Sequence, residues 1–222
     1  MSEQCKFKNY IWELPVRWCH WINVMCIVVL SATGFLIGTP FSFGRSASDF
    51  TMGWIRFIHF TAAYLFTISV ISRVIWSFIG NRYSGWKEFF PLATGQGRHK
   101  MSRMLRYYLL LDKDVPETVG HNPLATTAYI GLFCVYSTVI LTGFALYAEH
   151  APGSPMHRAL DFMYVMFSSQ GMRLTHHFCM WLIFGFVVNH IYSAWLMDIK
   201  EHGSEISSMF CGYKFTVRKE ED

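Results

Sequence analysis

The sequence predicts an all-α fold, an integral membrane four-helix bundle in which residues 1–222 form one transmembrane domain. Three observations lead to this prediction. Of the 222 residues, 52% are hydrophobic and only 15% are charged, whereas soluble domains contain about 25% charged residues. The apolar residues are concentrated in four stretches, each long enough for a helix to cross the ~30 Å hydrocarbon layer of a bilayer. None of the four stretches contains Asp or Glu.

The four stretches can be placed in order along the chain. The first, at about 18–38, is longer than the apolar core of a signal peptide, so we expect a retained helix rather than a cleaved signal. The second contains two arginines, the third contains no charged residue, and the fourth contains one arginine near its start. These three stretches occupy residues 54–80, 124–148 and 172–197, and residues 81–123 form the loop between the second and the third.

Lysine and arginine outside the predicted spans predict the orientation. Fourteen of them lie in the two terminal tails and in the 81–123 loop, against two in the other loops, Arg45 and Arg158. Cytoplasmic loops carry the excess of these residues. Both termini and the 81–123 loop are therefore predicted to be cytoplasmic. Because the basic residues flank apolar spans rather than cover one soluble face, we expect membrane lipid and not nucleic acid as a partner.

Five of the ten histidines fall inside the predicted spans, where polar side chains are costly and often functional. His176 and His190 are 14 residues apart. This is close to four helical turns, so both point to one face and lie about 21 Å apart along the axis. With the predicted orientation, His20 shares the cytoplasmic depth of His190, and His59 shares the outer depth of His176. His177 is rotated by about 100° from His176, so the helical phase favours His176 as the functional residue but leaves His177 open.

This arrangement favours two metal centres, each with a histidine from two helices. Zinc requires about four clustered ligands, whereas haem iron takes one axial ligand on each side. We therefore predict two b-type haems between the helices, with their iron held by His20, His59, His176 and His190. The sequence has no CxxCH motif, so covalent c-type attachment is not supported. A proton relay through these histidines should use intramembrane carboxylates, and the predicted spans contain none.

Four arginines lie at depths that suit the propionates of such haems. Arg56 and Arg173 lie near the outer pair of histidines, and Arg17 and Arg73 lie near the inner pair. An arginine near a membrane face can also extend to the interface without any propionate. Both interpretations therefore stay open for Arg17, Arg56 and Arg173. Arg73 lies well within a span, which favours a propionate or a similar partner.

Several motifs, covering nearly the whole chain, resemble the cytochrome b subunit of membrane-bound nickel–iron hydrogenases. The paired-histidine pattern is also similar to that of formate dehydrogenase gamma subunits and bacterial b561-type cytochromes. The matching motifs are Arg17-Trp18-Cys19-His20-Trp21, Thr33-Gly34, Gly53–Phe60, Gly80–Tyr83, Gly120–Ala125, Thr142–Tyr147, Met180-Trp181 and His190-Ile191-Tyr192, with His176 before the last two.

The resemblance implies an electron-transfer subunit in a bacterial inner membrane, anchoring a periplasmic hydrogenase. It implies the hydrogenase small and large subunits as partners, with electrons entering from the iron–sulfur clusters of the small subunit and quinone as their acceptor. No residue of this chain is assigned a catalytic role. The equivalent subunit of a formate dehydrogenase or another respiratory oxidoreductase is the alternative. For the quinone site, His121, Asn122 and Asn189 are candidates, although loop structure or helix capping is the commoner role of such residues.

Overall fold

A computed structural model describes residues 7–39, 50–86, 95–109, 111, 123–201 and 205–216. The prediction of an all-α fold is confirmed, with one short pair of strands in addition. The elements in chain order are β1 (Phe7–Tyr10), α1 (Leu14–Gly38), α2 (Thr51–Ile79), α3 (Gly95–Tyr108), α4 (Pro123–Ala148), α5 (Pro155–Ala159), α6 (Asp161–Met166), α7 (Ser169–Glu201), α8 (Glu205–Cys211) and β2 (Tyr213–Thr216).

Four helices within the described residues, α1, α2, α4 and α7, are long and apolar enough to cross a membrane. Only 11–17% of the most apolar window of each is buried inside the protein, so most of their large apolar side chains face outward. In water such a surface would be strongly unfavourable, because burial of apolar area is the main favourable term in folding. In a bilayer the same side chains are solvated by lipid, so the chain is a multi-pass membrane protein.

The chain divides into two compact units, one of which comprises Pro15–Trp76 and contains nearly all of α1 and α2. Two hydrogen-bonding contacts show that these helices run antiparallel. Near the end of α1, the Oγ1 of Thr33 lies 2.8 Å from the Nδ1 of His59 near the start of α2. Near the start of α1, the backbone oxygen of Cys19 accepts a hydrogen bond from Ser69, further along α2, at 3.3 Å.

The other unit comprises Met1–Leu14 and Ser77–Asp222, and within it α4 and α7 also run antiparallel. Thr142 near the end of α4 contacts His176 near the start of α7. At the other end of the same helix pair, the ring of Tyr129 lies 6.4 Å from the ring of His190. The two contacts are separated by nearly equal lengths of both helices, so α4 and α7 stay side by side between them.

Two short helices, α5 and α6, close the end of the α4–α7 pair where His176 lies. Ala145, Leu160, Met163 and Met172 form a buried apolar cluster there. The hydroxyl of Tyr164 donates a hydrogen bond of 2.9 Å to the backbone oxygen of Ala145. Desolvation of this hydroxyl, together with the nearby carboxylates of Glu149 and Asp161, raises the pKa of Tyr164.

The segments at the two ends of the described chain pair as a small antiparallel sheet, which the sequence did not predict. Phe7–Tyr10 pairs with Tyr213–Thr216, and the indole of Trp12 donates to the hydroxyl of Ser208 at 3.1 Å. Gly212 precedes β2 with a φ of 86°. This conformation is unfavourable for other residues, and a Cβ there would lie 2.7 Å from the backbone oxygen of Trp12.

Candidate functional site

The ring of His176 lies against two consecutive residues of α4. Its Nδ1 lies 3.1 Å from the Oγ1 of Thr142, which is itself buried. The adjacent residue, Gly143, provides the space for the imidazole, because a Cβ at this position would lie 2.9 Å from the Cε1 of His176. The ring therefore lies directly against the backbone of α4, and its position depends on both residues.

His59 has a similar environment in the unit formed by α1 and α2. Its Nδ1 lies 2.8 Å from the Oγ1 of Thr33, which is also buried. Thr33 is followed by Gly34, as Thr142 is followed by Gly143. The two histidines that we place at the outer depth are thus each contacted by a threonine on the neighbouring transmembrane helix.

The two histidines that we place at the inner depth lie against aromatic rings. The ring of His190 is stacked on that of Phe186, one turn earlier in α7, with centroids 5.7 Å apart and an interplanar angle of 8°. The ring of Tyr129 on α4 meets it edge-on at 6.4 Å. His20 is next to Trp21, whose ring is perpendicular to the imidazole at 5.1 Å.

In each unit the two histidines lie at two separate levels along the helices. His59 contacts Thr33, which is 13 residues after His20 on α1 and hence about 20 Å from it along the axis. His176 and His190 are separated by about 21 Å along α7. The described residues contain no group of three or more His, Cys, Asp or Glu side chains that could hold a metal ion. Each unit thus places one histidine at each of two levels, and the assignment of these histidines to haem iron stays a prediction.

His177 lies on a different side of α7 from His176. Its side chain is exposed, and its Nδ1 donates a hydrogen bond of 2.8 Å to the backbone oxygen of Arg173 in its own helix. The rings of His176 and His177 are nearly perpendicular, with an interplanar angle of 78°. His176 therefore faces α4 and His177 does not, as the helical phase predicted; which of them binds iron stays a prediction.

Three of the four predicted arginines precede a predicted iron ligand by three residues, which places each on the same helical face as its histidine. Arg56 and Arg173 are exposed, whereas Arg17 and Arg73 are partly buried. Arg73 lies one turn after Ser69, the residue of α2 that bonds to α1. Of the quinone-site candidates, Asn189 is exposed on α7, and His121 and Asn122 lie outside the described residues.

Sequence reasoning did not identify Thr33, Thr142 and Gly143 as neighbours of the histidines. In the sequence, these residues are distinguished only as parts of the Thr33-Gly34 and Thr142–Tyr147 motifs of the resemblance. The repetition of Thr-Gly in the first and the third span was the available signal. It did not indicate which histidine each threonine would contact.

Comparison with known proteins then identifies the family. A family model described as prokaryotic cytochrome b561 matches residues 11–212. The chain belongs to this cytochrome b561 family. Cytochromes of this type carry a b-type haem, so the histidines described above are candidate ligands in a protein that binds haem b.

Relatives of this b561-type cytochrome are named as probable Ni/Fe-hydrogenase B-type cytochrome subunits. The protein from Cupriavidus necator is 41% identical over 213 residues, covering 93% of this chain and 86% of the relative. The protein from Bradyrhizobium diazoefficiens is 38% identical over 91% of this chain and 84% of its own length. In Escherichia coli K12, the relative named for Ni/Fe-hydrogenase 1 is 38% identical over 93% of this chain and 90% of its own length.

Proposed function

We propose that this cytochrome is the di-haem subunit of a nickel–iron hydrogenase in the bacterial inner membrane. It anchors the periplasmic small and large subunits and carries electrons from their iron–sulfur clusters to quinone. The observation that carries the proposal is the presence, in each unit, of two histidines at levels about 20 Å apart along the helices. The names of the relatives support the hydrogenase as the partner.

Four histidines would hold the two haems. His59 and His176 would ligate the iron of the outer haem, and His20 and His190 that of the inner haem. Each haem, when bound, supplies reversible one-electron transfer between ferric and ferrous iron. With histidine on both faces the iron has no open position for oxygen, which favours electron transfer over oxygen chemistry.

The charges of the spans favour the same assignment. Haem propionates are anionic, and a charge inside a bilayer requires a counter-charge or access to the interface. Arg56 and Arg173 would neutralise the propionates of the outer haem, and Arg17 and Arg73 those of the inner haem. Arg73 lies well within the span formed by α2, which favours a propionate as one of its partners.

Haem quantification and affinity purification test the proposal. The purified chain should be red, with a b-type reduced-minus-oxidised spectrum and about two haems per polypeptide, because each iron uses two of four histidines. A ratio of about one would mean that one histidine pair is structural. Purification through a tag on the full chain should recover hydrogenase large and small subunits. Recovery of formate dehydrogenase subunits instead would support the alternative.

Reporter fusions test the orientation on which the pairing of histidines depends. Fusions near Arg98 and at the carboxy terminus should report a cytoplasmic location, because the excess of basic residues lies there. Fusions near Gly44 and Ser154 should report a periplasmic location. A periplasmic signal at Arg98 would contradict the assignment of outer and inner histidines.

A further inference from the structure

Thr33 and Thr142 have the same pair of neighbours. The Oγ1 of Thr33 lies 2.7 Å from the backbone oxygen of Val29, four residues earlier, and 2.8 Å from the Nδ1 of His59. The Oγ1 of Thr142 lies 2.7 Å from the backbone oxygen of Thr138, again four residues earlier, and 3.1 Å from the Nδ1 of His176. Each hydroxyl thus lies between a carbonyl of its own helix and an imidazole of the neighbouring helix.

The position of the hydroxyl proton decides which nitrogen of each imidazole carries hydrogen. A hydroxyl has one proton and two acceptor lone pairs, and a carbonyl oxygen can only accept. At 2.7 Å the threonine and carbonyl oxygens are within a normal O–H···O hydrogen bond, so the hydroxyl proton must lie between them. The contact to the histidine must then use a lone pair of Oγ1. The histidine therefore donates its Nδ1–H, and the neutral ring has its basic lone pair on Nε2.

We propose that Thr33 and Thr142 are positioning residues that hold His59 and His176 in the Nδ1–H tautomer, with Nε2 as the nitrogen that binds the outer haem iron. The inference rests on the proposed function, since it takes these two histidines as the iron ligands. It adds a role for two residues that contact no iron themselves. Histidines that bind metals commonly donate their other ring N–H to an acceptor, which orients the ring and raises its basicity.

In the unit that contains His176, Gly143 also helps to place the imidazole, because it leaves space for the ring. The Cε1 of His176 lies between the two ring nitrogens and would be only 2.9 Å from a Cβ on residue 143. The imidazole can therefore approach Thr142 closely enough to bond to it because residue 143 has no side chain. The hydroxyl selects the tautomer, and the glycine leaves room for the ring.

The hydrogen bond has a consequence for the outer haem that haem content alone does not reveal. A ligand whose Nδ1–H is bonded to an acceptor donates more electron density through Nε2, which stabilises ferric iron and lowers the midpoint potential. Loss of either threonine hydroxyl should raise the outer midpoint potential. The inner haem should keep its potential, because within each unit the inner histidine lies about 20 Å along the helices from the level of the threonine.

The test compares Thr142→Val and Thr33→Val with the corresponding serine variants in membranes containing the full chain. Valine keeps the shape of threonine and removes the hydroxyl, whereas serine keeps the hydroxyl. We expect both valine variants to retain two haems and to shift the outer ferric–ferrous equilibrium about tenfold toward the ferrous form, equivalent to about +59 mV for a one-electron couple. The serine variants should return the potential toward the wild-type value. Potentiometry followed by absorbance, with low-temperature EPR of the ferric haems, measures this.

Matched controls are available in the same two helix pairs. The hydroxyls of Thr138 in α4 and Thr67 in α2 also bond to the carbonyl four residues earlier, at 2.9 Å and 2.7 Å, and neither contacts a histidine ring within the part of the chain that the structure describes. Thr138→Val and Thr67→Val should leave both potentials unchanged. An unchanged outer potential in Thr142→Val and Thr33→Val, with both haems bound, would overturn the inference.

The serine variant and one further variant, Thr142→Ala, keep the result interpretable if a valine variant loses the outer haem. Thr142→Ser with wild-type haem content and potential, together with loss in Thr142→Ala, supports the role of the hydroxyl. Loss of the haem in both variants overturns it. The proposed function fails differently: if His176→Ala retains both haems, the ligand assignment itself is wrong.

Discussion

The outer and inner histidines differ in what restrains their rings. His59 and His176 are each hydrogen-bonded through Nδ1 to a threonine of the neighbouring helix. His190 is stacked on Phe186, and His20 lies edge-on to Trp21. A hydrogen bond fixes both the direction of the ring and the nitrogen that carries the proton.

This difference matters for a protein with two haems of the same ligand type. Axial ligand identity sets the broad range of a haem potential, and hydrogen bonding and burial around the ligands adjust it within that range. With histidine proposed at all four axial positions, the identity of the ligands cannot separate the two potentials. The surroundings of the histidines can separate the two potentials, and the threonine contacts at the outer level are one such difference.

The largest effect should follow from removal of the ligands themselves. His176→Ala and His59→Ala should each abolish the outer haem and keep the inner one, and His20→Ala and His190→Ala should do the reverse, because a buried iron with one protein ligand is weakly held. The haem-to-protein ratio should fall from about two to about one in each case. Reduced-minus-oxidised spectra with hydrogen as the reductant separate the two classes. In the inner variants the outer haem should still be reduced, and in the outer variants reduction should be blocked.

Loss of both haems in any single variant would show that the two levels are not independent, and the comparison between them would then lose its basis. Immunoblotting of the membranes provides the control for protein level. Variants that accumulate to less than half of the wild-type level would have to be compared per polypeptide and not per membrane.

A smaller effect should follow from filling the space beside His176. In Gly143→Val the side chain would push the imidazole away from α4, since even a Cβ would lie 2.9 Å from its Cε1. Outer haem content should fall to about half or less, as expected for overpacking at a well-packed site, and the inner haem should be retained. Gly131→Val is the matched control on the same helix, because a Cβ there meets nothing within 4 Å. Equal losses in both variants would point to a general defect of α4.

Removal of the Phe186 ring, which is stacked on His190, should have a still smaller effect on haem binding. Phe186→Leu removes the ring that lies parallel to that of His190 at 5.7 Å, and aromatic pairs contribute about 0.5–1.5 kcal/mol beyond their buried area. The inner haem should therefore bind about two- to tenfold more weakly, while outer haem content and potential stay unchanged. Retention of haem during detergent washing measures the effect. A change confined to the outer haem would reverse the predicted depth assignment.

The smallest effect is expected for His177→Ala. The His177 side chain is exposed, and its Nδ1–H bonds to the carbonyl of Arg173 in its own helix. Both haems should be retained with unchanged spectra. Loss of the outer haem in His177→Ala, with retention in His176→Ala, would mean that α7 turns a different face to the haem from the one that faces α4.

Several properties of this protein could be predicted because they depend on local sequence. Hydropathy over about 20 residues predicts a membrane-length helix, and the four such helices are present. The separation of His176 and His190 follows from the rise of a helix, and the different sides of His176 and His177 follow from its 3.6-residue turn. The small sheet at Phe7–Tyr10 and Tyr213–Thr216 was not predicted, because its strands are four residues each and about 200 residues apart in the sequence.

The contacts of the histidines were decided only by the tertiary structure. The sequence alone determined that Thr33-Gly34 and Thr142-Gly143 lie in spans and that His59 and His176 lie in others. A hydrogen bond of about 3 Å between helices requires their rotation and register to agree within a fraction of a turn. Hydrophobic periodicity specifies neither in a helix that is apolar on all sides. Packing of α1 with α2, and of α4 with α7, brings each threonine to its histidine.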